Sequence, residues 1–224
     1  MTTTVRIAIL CSGNMSAAIG MREQDPNYGT TYEFVGVFSD APDCGGLAYA
    51  KQHGIPHAAI DFELWRKRAN VAKSDLTARQ LYYEEVLDCI KPWRADAIVC
   101  SGFMLKITNP LLLAFPGRMT NVHPALFHIR SHDGTPKYKG KHAVSAAMVA
   151  GDPTGSTVHI VHPDVNEVDS GPVVFESRPL QYKKGDDPKV HQERMKWACD
   201  VPAYITAMDL LITRGWPEKR WRPS

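Results

Sequence analysis

The sequence predicts an α/β protein in three layers: a mainly parallel sheet with helices on both faces, ending in an antiparallel C-terminal part. Three observations predict it. Short apolar, β-branched runs alternate with helix-forming segments along most of the chain, the order that yields parallel strands joined by helical crossovers. Ala95–Ser101 has the composition of a strand buried on both faces. The last two strand candidates, Ser156–Val161 and Pro172–Ser177, are separated by a loop rich in Pro, Asp and Asn, which suits an antiparallel pair.

The elements follow in order. Val5–Leu10 is the first strand, ended by Cys11-Ser12-Gly13-Asn14, and an Ala-rich helix starts at Ser16. Glu33–Ser39 repeats the strand pattern, and Gly46–His53 reads as a helix closed by Gly54 with Pro56 beyond it. After His57–Ile60, helical spacing runs through Phe62–Lys73 and Thr77–Ile90, where Pro92 stops it. Asn109–Ala114 is a short helix started by Pro110, and Arg118–Val122 a strand running into His123-Pro124. Lys141–Ala150 is helical, and Asp187–Thr213 is helical with an interruption at Pro202.

Length and composition narrow the function. A chain of 224 residues fits one large domain. Lys and Arg total 26 against 24 Asp and Glu, so no net field favours nucleic acid or an anionic membrane, and an anionic ligand has to be met locally. Cys11, Cys44, Cys89, Cys100 and Cys199 are scattered and form no Cys-x-x-Cys pair, which predicts neither a disulfide framework nor a zinc site and fits a reducing cytoplasm. No stretch reads as a leader or a membrane span.

Ligands of parallel α/β sheets sit at the carboxyl ends of the strands, and four polar groups fall there: Ser12–Asn14, Asn121, His123 and Asp169. Asn121 and His123 alternate on extended chain, so their side chains share a face. Asp169 precedes the turn Ser170-Gly171-Pro172, which presents a carboxylate toward the imidazole. Amide, imidazole and carboxylate together suit acyl transfer without a metal.

At these residues the chain resembles the glycinamide ribonucleotide transformylase family of folate-dependent formyltransferases. Phe115-Pro116-Gly117-Arg118 through Asn121-Val122-His123-Pro124-Ala125-Leu126 is similar to the family signature, and Thr154–His159 followed by Asp169-Ser170-Gly171-Pro172 to its second half. Ile9–Asn14, Val37-Phe38-Ser39, Ser101–Met104, Pro136-Lys137-Tyr138, Gly140 and His142 agree in order. The resemblance implies a Rossmann-like formyltransferase fold in one domain, with residues 1–100 as the amine- and phosphate-binding half and 101–224 as the catalytic and folate-binding half. It implies a primary amine, glycinamide ribonucleotide of purine biosynthesis first, taking a formyl group from 10-formyltetrahydrofolate, with Asn121, His123 and Asp169 catalytic. Met104, Leu105, Ile107, Val161 and Val168 would then line the pterin pocket and Arg79 face the glutamate tail. Ser12, Gly13, Asn14, Met15, Ser16 and His142 would hold the amine substrate, in a monomer or homodimer.

The sequence departs from the family where the amine is recognised. Its loop reads Gly13-Asn14-Met15-Ser16-Ala17 against the family's Gly-Asn-Gly-Ser-Asn, so Met15 adds bulk at a place of close backbone approach. Trp197 stands where spacing from Pro202 puts a family Glu, with Glu193 one turn earlier. His128–Thr135 and the Pro163–Asn166 region are insertions. Such changes keep three other readings open: formyl transfer to an amino sugar or small-metabolite amine, hydrolysis of 10-formyltetrahydrofolate, and a folate-binding protein without transferase activity. A plain dinucleotide-binding domain lacks support, because Cys11–Ser16 does not give G-x-G-x-x-G.

Overall fold

The structure, a computed structural model, describes residues 4–217. Seven strands form one sheet in the order β3-β2-β1-β4-β5-β6-β7, and the chain clusters into two compact units. The first runs through Met15 and resumes from Asn27 to Met119; the second comprises Ser16–Pro26 and the chain from Thr120 onward.

In the first unit, β1 (Val5–Cys11), β2 (Tyr32–Ser39), β3 (His57–Ala59) and β4 (Ala97–Cys100) pair in parallel, β1 lying between β2 and β4. The burial that parallel sheets demand is met in full: Ile7 through Cys11 and Ala97 through Val99 have no exposed surface. Each such aliphatic side chain contributes about 1.5–3 kcal/mol relative to an exposed one. Helices α2 (Gly45–Gln52), α3 (Phe62–Arg68) and α4 (Leu76–Ile90) connect the strands, followed by the short α5 (Leu111–Ala114). Asp61 and Asp75 cap α3 and α4 by accepting the Leu64 and Ala78 amides at 2.9 Å, worth about 1 kcal/mol per cap. The helix expected to run to Lys73 stops at Arg68, because Asn70 takes a left-handed conformation (φ 53°) and Val71 turns back to the Arg66 carbonyl.

In the second unit, β5 (Met119–His123), β6 (Thr157–Ile160) and β7 (Val173–Glu176) pair antiparallel, as the loop between the last two strands predicts. Helix α1 (Ser16–Gln24) belongs here and packs on α8 (Val201–Arg214), with α6 (Ala143–Ala150) and α7 (Pro188–Met195) completing the unit. The break expected at Pro202 is a π turn, Lys196–Asp200, immediately before α8. Pro202 has no N–H and its ring crowds the carbonyl four residues back, so the ladder widens there instead of continuing. No helix among the described residues is long and apolar enough to cross a membrane.

The α1–α8 approach depends on one missing side chain. A Cβ on Gly20 would lie 2.3 Å from a Val201 methyl, closer than two non-bonded carbons can sit. Gly20→Ala should therefore destabilise the protein by about 1–3 kcal/mol despite the better helix propensity of Ala. Urea unfolding measures this, and adding Val201→Ala should restore most of the loss.

Candidate active site

Asn121 and His123 project from one face of β5, as their alternation predicts, and the loop from Val161 to Pro172 between β6 and β7 delivers Asp169 to the same place. The structure brings these three together. His123 Nδ1 lies 3.3 Å from Asp169 Oδ2, with both side chains buried. The other ring nitrogen, Nε2, is 2.8 Å from the Tyr138 carbonyl. A carbonyl only accepts, so Nε2 carries a proton and donates it. Nδ1 in turn faces the Asp169 carboxylate, so the ring donates from Nε2 and presents Nδ1 to a negative group, an environment that suits positive charge developing on the ring.

Local structure holds Asp169 in position. Its backbone is left-handed (φ 50°), a conformation that Asp tolerates better than most residues, and Oδ2 accepts the Gly140 amide at 2.9 Å. Gly171 has to be glycine, since a Cβ there would sit 1.8 Å from the Ile160 carbonyl oxygen. The Ile160 amide donates to the Pro172 carbonyl at 2.9 Å, closing the loop. Asp169 Oδ1 faces the ring of a fourth residue, His159, at 3.8 Å.

His159 is the functional residue that the sequence leaves without a role. It is buried, and it stands directly opposite Asn121 in the β5–β6 register. Its Nδ1 donates to the Ile160 carbonyl at 3.0 Å, so Nε2 bears the lone pair and accepts from Asn121 Nδ2 at 3.4 Å. Burial lowers its pKa to about 4, against the opposing pull of Asp169. The contact with Asp169 Oδ1 is therefore no ion pair at neutral pH, because the His159 ring is neutral there. His159 fixes which way the Asn121 amide points and leaves the second amide hydrogen without a partner among the described residues. Phe127 lies beside both imidazoles, at 5.7 Å from His123 and 5.1 Å from His159 between ring centroids, and keeps water from them. The signal that could have found His159 is its place in the Thr154–His159 motif, since the cross-strand pairing itself is not local in sequence.

In the first unit, the loop after β1 is tied down through Ser12. The Ser12 amide donates to the Gly102 carbonyl at 3.0 Å, its hydroxyl oxygen accepts the Met104 amide at 2.9 Å, and the hydroxyl donates to Asp40. Burial raises the Asp40 carboxyl above the usual range, while this hydrogen bond lowers it. Among the described residues the amides of Gly13, Asn14 and Met15 form no hydrogen bonds, leaving backbone donors for an anion. Met15 adds no bulk at the mouth of this loop. Its side chain is only 2% exposed and turns inward under α2, where its Cγ lies 3.2 Å from the position of a Cβ on Gly46. The left-handed backbone at Met15 (φ 45°) turns it there.

Met104 is 66% exposed, and Leu105 and Ile107 are partly so, which gives the first unit an apolar segment open to a ligand. Val168 is exposed and Val161 half-buried in the second unit, and His142 is exposed at the start of α6. Ser16 is half-buried at the first residue of α1. Arg79 differs from the ligand-facing side chain expected of it. It is 7% exposed, lies over the Phe62 ring, and donates to the carbonyls of Lys106 and Lys73, clipping the 102–107 loop to the segment before α4. Among the described residues no group of three or more His, Cys, Asp and Glu is arranged to hold a metal ion.

Known proteins share this arrangement of chain. The formyl transferase family model matches residues 5–199. The chain is 30% identical over 179 residues to phosphoribosylglycinamide formyltransferase of Escherichia coli (strain K12), covering 78% of this chain and 72% of that protein. It is 32% identical over 176 residues, 77% of this chain, to the trifunctional purine biosynthetic protein adenosine-3 of Drosophila melanogaster, and spans 11% of that protein's length. The crystal structure of phosphoribosylglycinamide formyltransferase from Brucella melitensis superimposes with a TM-score of 0.72 at 25% identity, covering 94% of this chain and 97% of that one.

The histidine assignments carry a pH signature. His159 is neutral in the fold with a pKa of about 4, whereas an unfolded histidine titrates near about 6.5. Between those values the unfolded chain binds a proton that the fold refuses, so stability is lost as pH falls from about 6.5 toward 4. His159→Gln removes that component. Its stability deficit relative to wild type, measured by urea unfolding, should shrink as pH falls through this window.

Proposed function

We propose that this chain, which belongs to the formyl transferase family, transfers a formyl group from 10-formyltetrahydrofolate to a primary amine, with glycinamide ribonucleotide as the acceptor in purine biosynthesis. The observation that carries this reading is the buried His123, held between the Tyr138 carbonyl and the Asp169 carboxylate, near an oriented Asn121 amide. Acyl transfer to an amine makes two demands: negative charge on the carbonyl oxygen has to be stabilised, and the attacking nitrogen has to lose a proton. This set answers both.

The folate supplies the formyl carbon; in the first unit the apolar segment Met104, Leu105 and Ile107 is open to a ring such as its pterin, and in the second unit Val168 is exposed and Val161 half-buried. The free Asn121 amide hydrogen is one donor to the developing oxyanion. His123 is the other: its Nε2 hydrogen, held on the neutral Tyr138 carbonyl, passes to a charged acceptor that binds it more strongly. Asp169 keeps His123 charged through Oδ2 and takes the proton of the amine, directly or through water, at Oδ1, the oxygen without a close donor. Desolvation by Phe127 strengthens each of these interactions.

The free amides of Gly13, Asn14 and Met15 support a phosphate-bearing acceptor, because backbone donors bind phosphate whatever side chain they carry. Trp197, half-exposed on the π turn, favours a different amine. Turnover separates the two readings. With 10-formyltetrahydrofolate present, glycinamide ribonucleotide should release tetrahydrofolate, and the same glycinamide riboside without its phosphate should show a KM at least about tenfold higher. Equal KM values would assign the loop no phosphate, and release without any amine would mark a hydrolase.

His123→Ala and Asp169→Asn should each lower kcat/KM by at least about a hundredfold. Both side chains are buried, so near-UV circular dichroism has to show an intact fold. Near-normal turnover in either variant would refute the roles of that pair.

A further inference from the structure

We propose that Cys11 and Cys44 form an oxidisable dithiol, which closes to a disulfide under peroxide and couples oxidant level to the Ser12–Met15 loop. Parallel pairing sets Cys11, the last residue of β1, opposite Ser39, the last residue of β2. Five residues on, Cys44 stands at the entry to α2 and donates from Sγ to Ser39 Oγ at 3.2 Å. The register puts Cys11 beside the same Ser39, its Sγ lies against Gly46 two residues after Cys44, and Cys44 acts on the Cys11 thiol. Three polarisable side chains from two strand ends and a helix start thus meet at one point. Cys11 is fully buried and Cys44 partly exposed, the arrangement of an attacking thiol that peroxide can reach and a resolving thiol behind it. Cys89, on α4, and Cys199, on the π turn, have no such arrangement among the described contacts.

The chemistry balances. The Cys44 sulfur attacks peroxide, an S–O bond forms as the O–O bond breaks, and one water leaves. The Cys11 sulfur then attacks the Cys44 sulfenic acid: the S–S bond forms, the S–O bond breaks, and the hydroxide departs with the Cys11 proton as a second water. Two thiols are oxidised and one peroxide is reduced. Cys44 is the more exposed of the two and meets peroxide first, while burial first, and then the neighbouring Cys44, push the Cys11 thiol far up and keep it from reacting with peroxide itself.

The consequence for the loop follows from contact. The Gly46 amide donates to the Gly13 carbonyl at 2.9 Å. Gly45 and Gly46 have no room for side chains: a Cβ on Gly45 would lie 2.4 Å from Asn14 Oδ1, and one on Gly46 2.7 Å from Cys11 Sγ. An S–S bond is about 2 Å, far shorter than a contact between two thiols. Forming it draws the first turn of α2 into the loop it already touches. This coupling rests on the substrate-holding role proposed for the loop; the disulfide does not.

The test is a peptide map. Reduced full-length protein is treated with hydrogen peroxide, alkylated and digested without reductant. The expected product is a Cys11–Cys44 peptide pair lighter by two hydrogens than its separate peptides, and lost on treatment with dithiothreitol. Cys11→Ser should leave a sulfenic acid on Cys44 that dimedone captures, and Cys44→Ser should form no link. A Cys44 that remains alkylatable while free glutathione in the same tube is fully oxidised would overturn the proposal, as would Cys44 linked to another cysteine. In the reduced protein, formyl transfer is measured first. Oxidation should then lower kcat/KM at least tenfold, reversibly, in wild type and not in Cys44→Ser. If the link forms and turnover is unchanged, the coupling to the loop is overturned. If the reduced protein shows no formyl transfer, the functional reading fails, and the mass map alone decides the dithiol.

Discussion

The imidazole of His123 lies between a carboxylate and a carbonyl, neither of which gives a proton to a ring nitrogen. A buried ring with acceptors on both sides holds a proton on each nitrogen or leaves a lone pair facing oxygen. The rest of the second unit serves this constraint. Tyr138 supplies the carbonyl and Gly140 an amide to Asp169, so one short loop holds both members of the pair. The left-handed Asp169 and the side-chain-free Gly171 hold the other side. A buried charge pair is costly unless its remaining valences are satisfied, and here those contacts come from backbone groups whose positions the loops determine.

Three histidines of the second unit show how environment decides chemistry. His123 lies between a carbonyl and a carboxylate. His159, one strand away and as deeply buried, faces a carbonyl on one side and an amide donor on the other, and stays neutral. His191, fully buried, bridges the Thr154 hydroxyl and the Arg194 guanidinium, and burial together with that neighbouring charge lowers its pKa. It serves structure. The partners of each nitrogen, not residue type or depth, separate donor, orienting group and structural link.

The first unit solves a different problem, holding a loop open to a ligand while its backbone donors stay unpaired. Ser12 satisfies its own amide and hydroxyl on Gly102, Met104 and Asp40, and Met15 buries its side chain, so the loop is anchored at both ends by groups that do not face outward. Arg79 does the same for the 102–107 loop, its guanidinium bound to two carbonyls. Planar, multidentate donors suit such clips because one side chain satisfies two carbonyls that a loop leaves without partners.

Alternating strand and helix patterns and the turn at Asp169–Pro172 are local, and sequence by itself determined them together with the fold class. Asn121 and His123 were legible for the same reason: two residues apart on one strand, they share a face wherever that strand goes. The orientation of Asn121 by His159 was not legible, because it depends on an antiparallel register between residues 38 positions apart that a slip of one residue would reverse. Met15 read as bulk in the loop until its backbone conformation turned it inward, and Arg79 read as a ligand contact until packing closed over it. Direction and burial of a side chain are set by neighbours distant in sequence, and only the tertiary structure decided them.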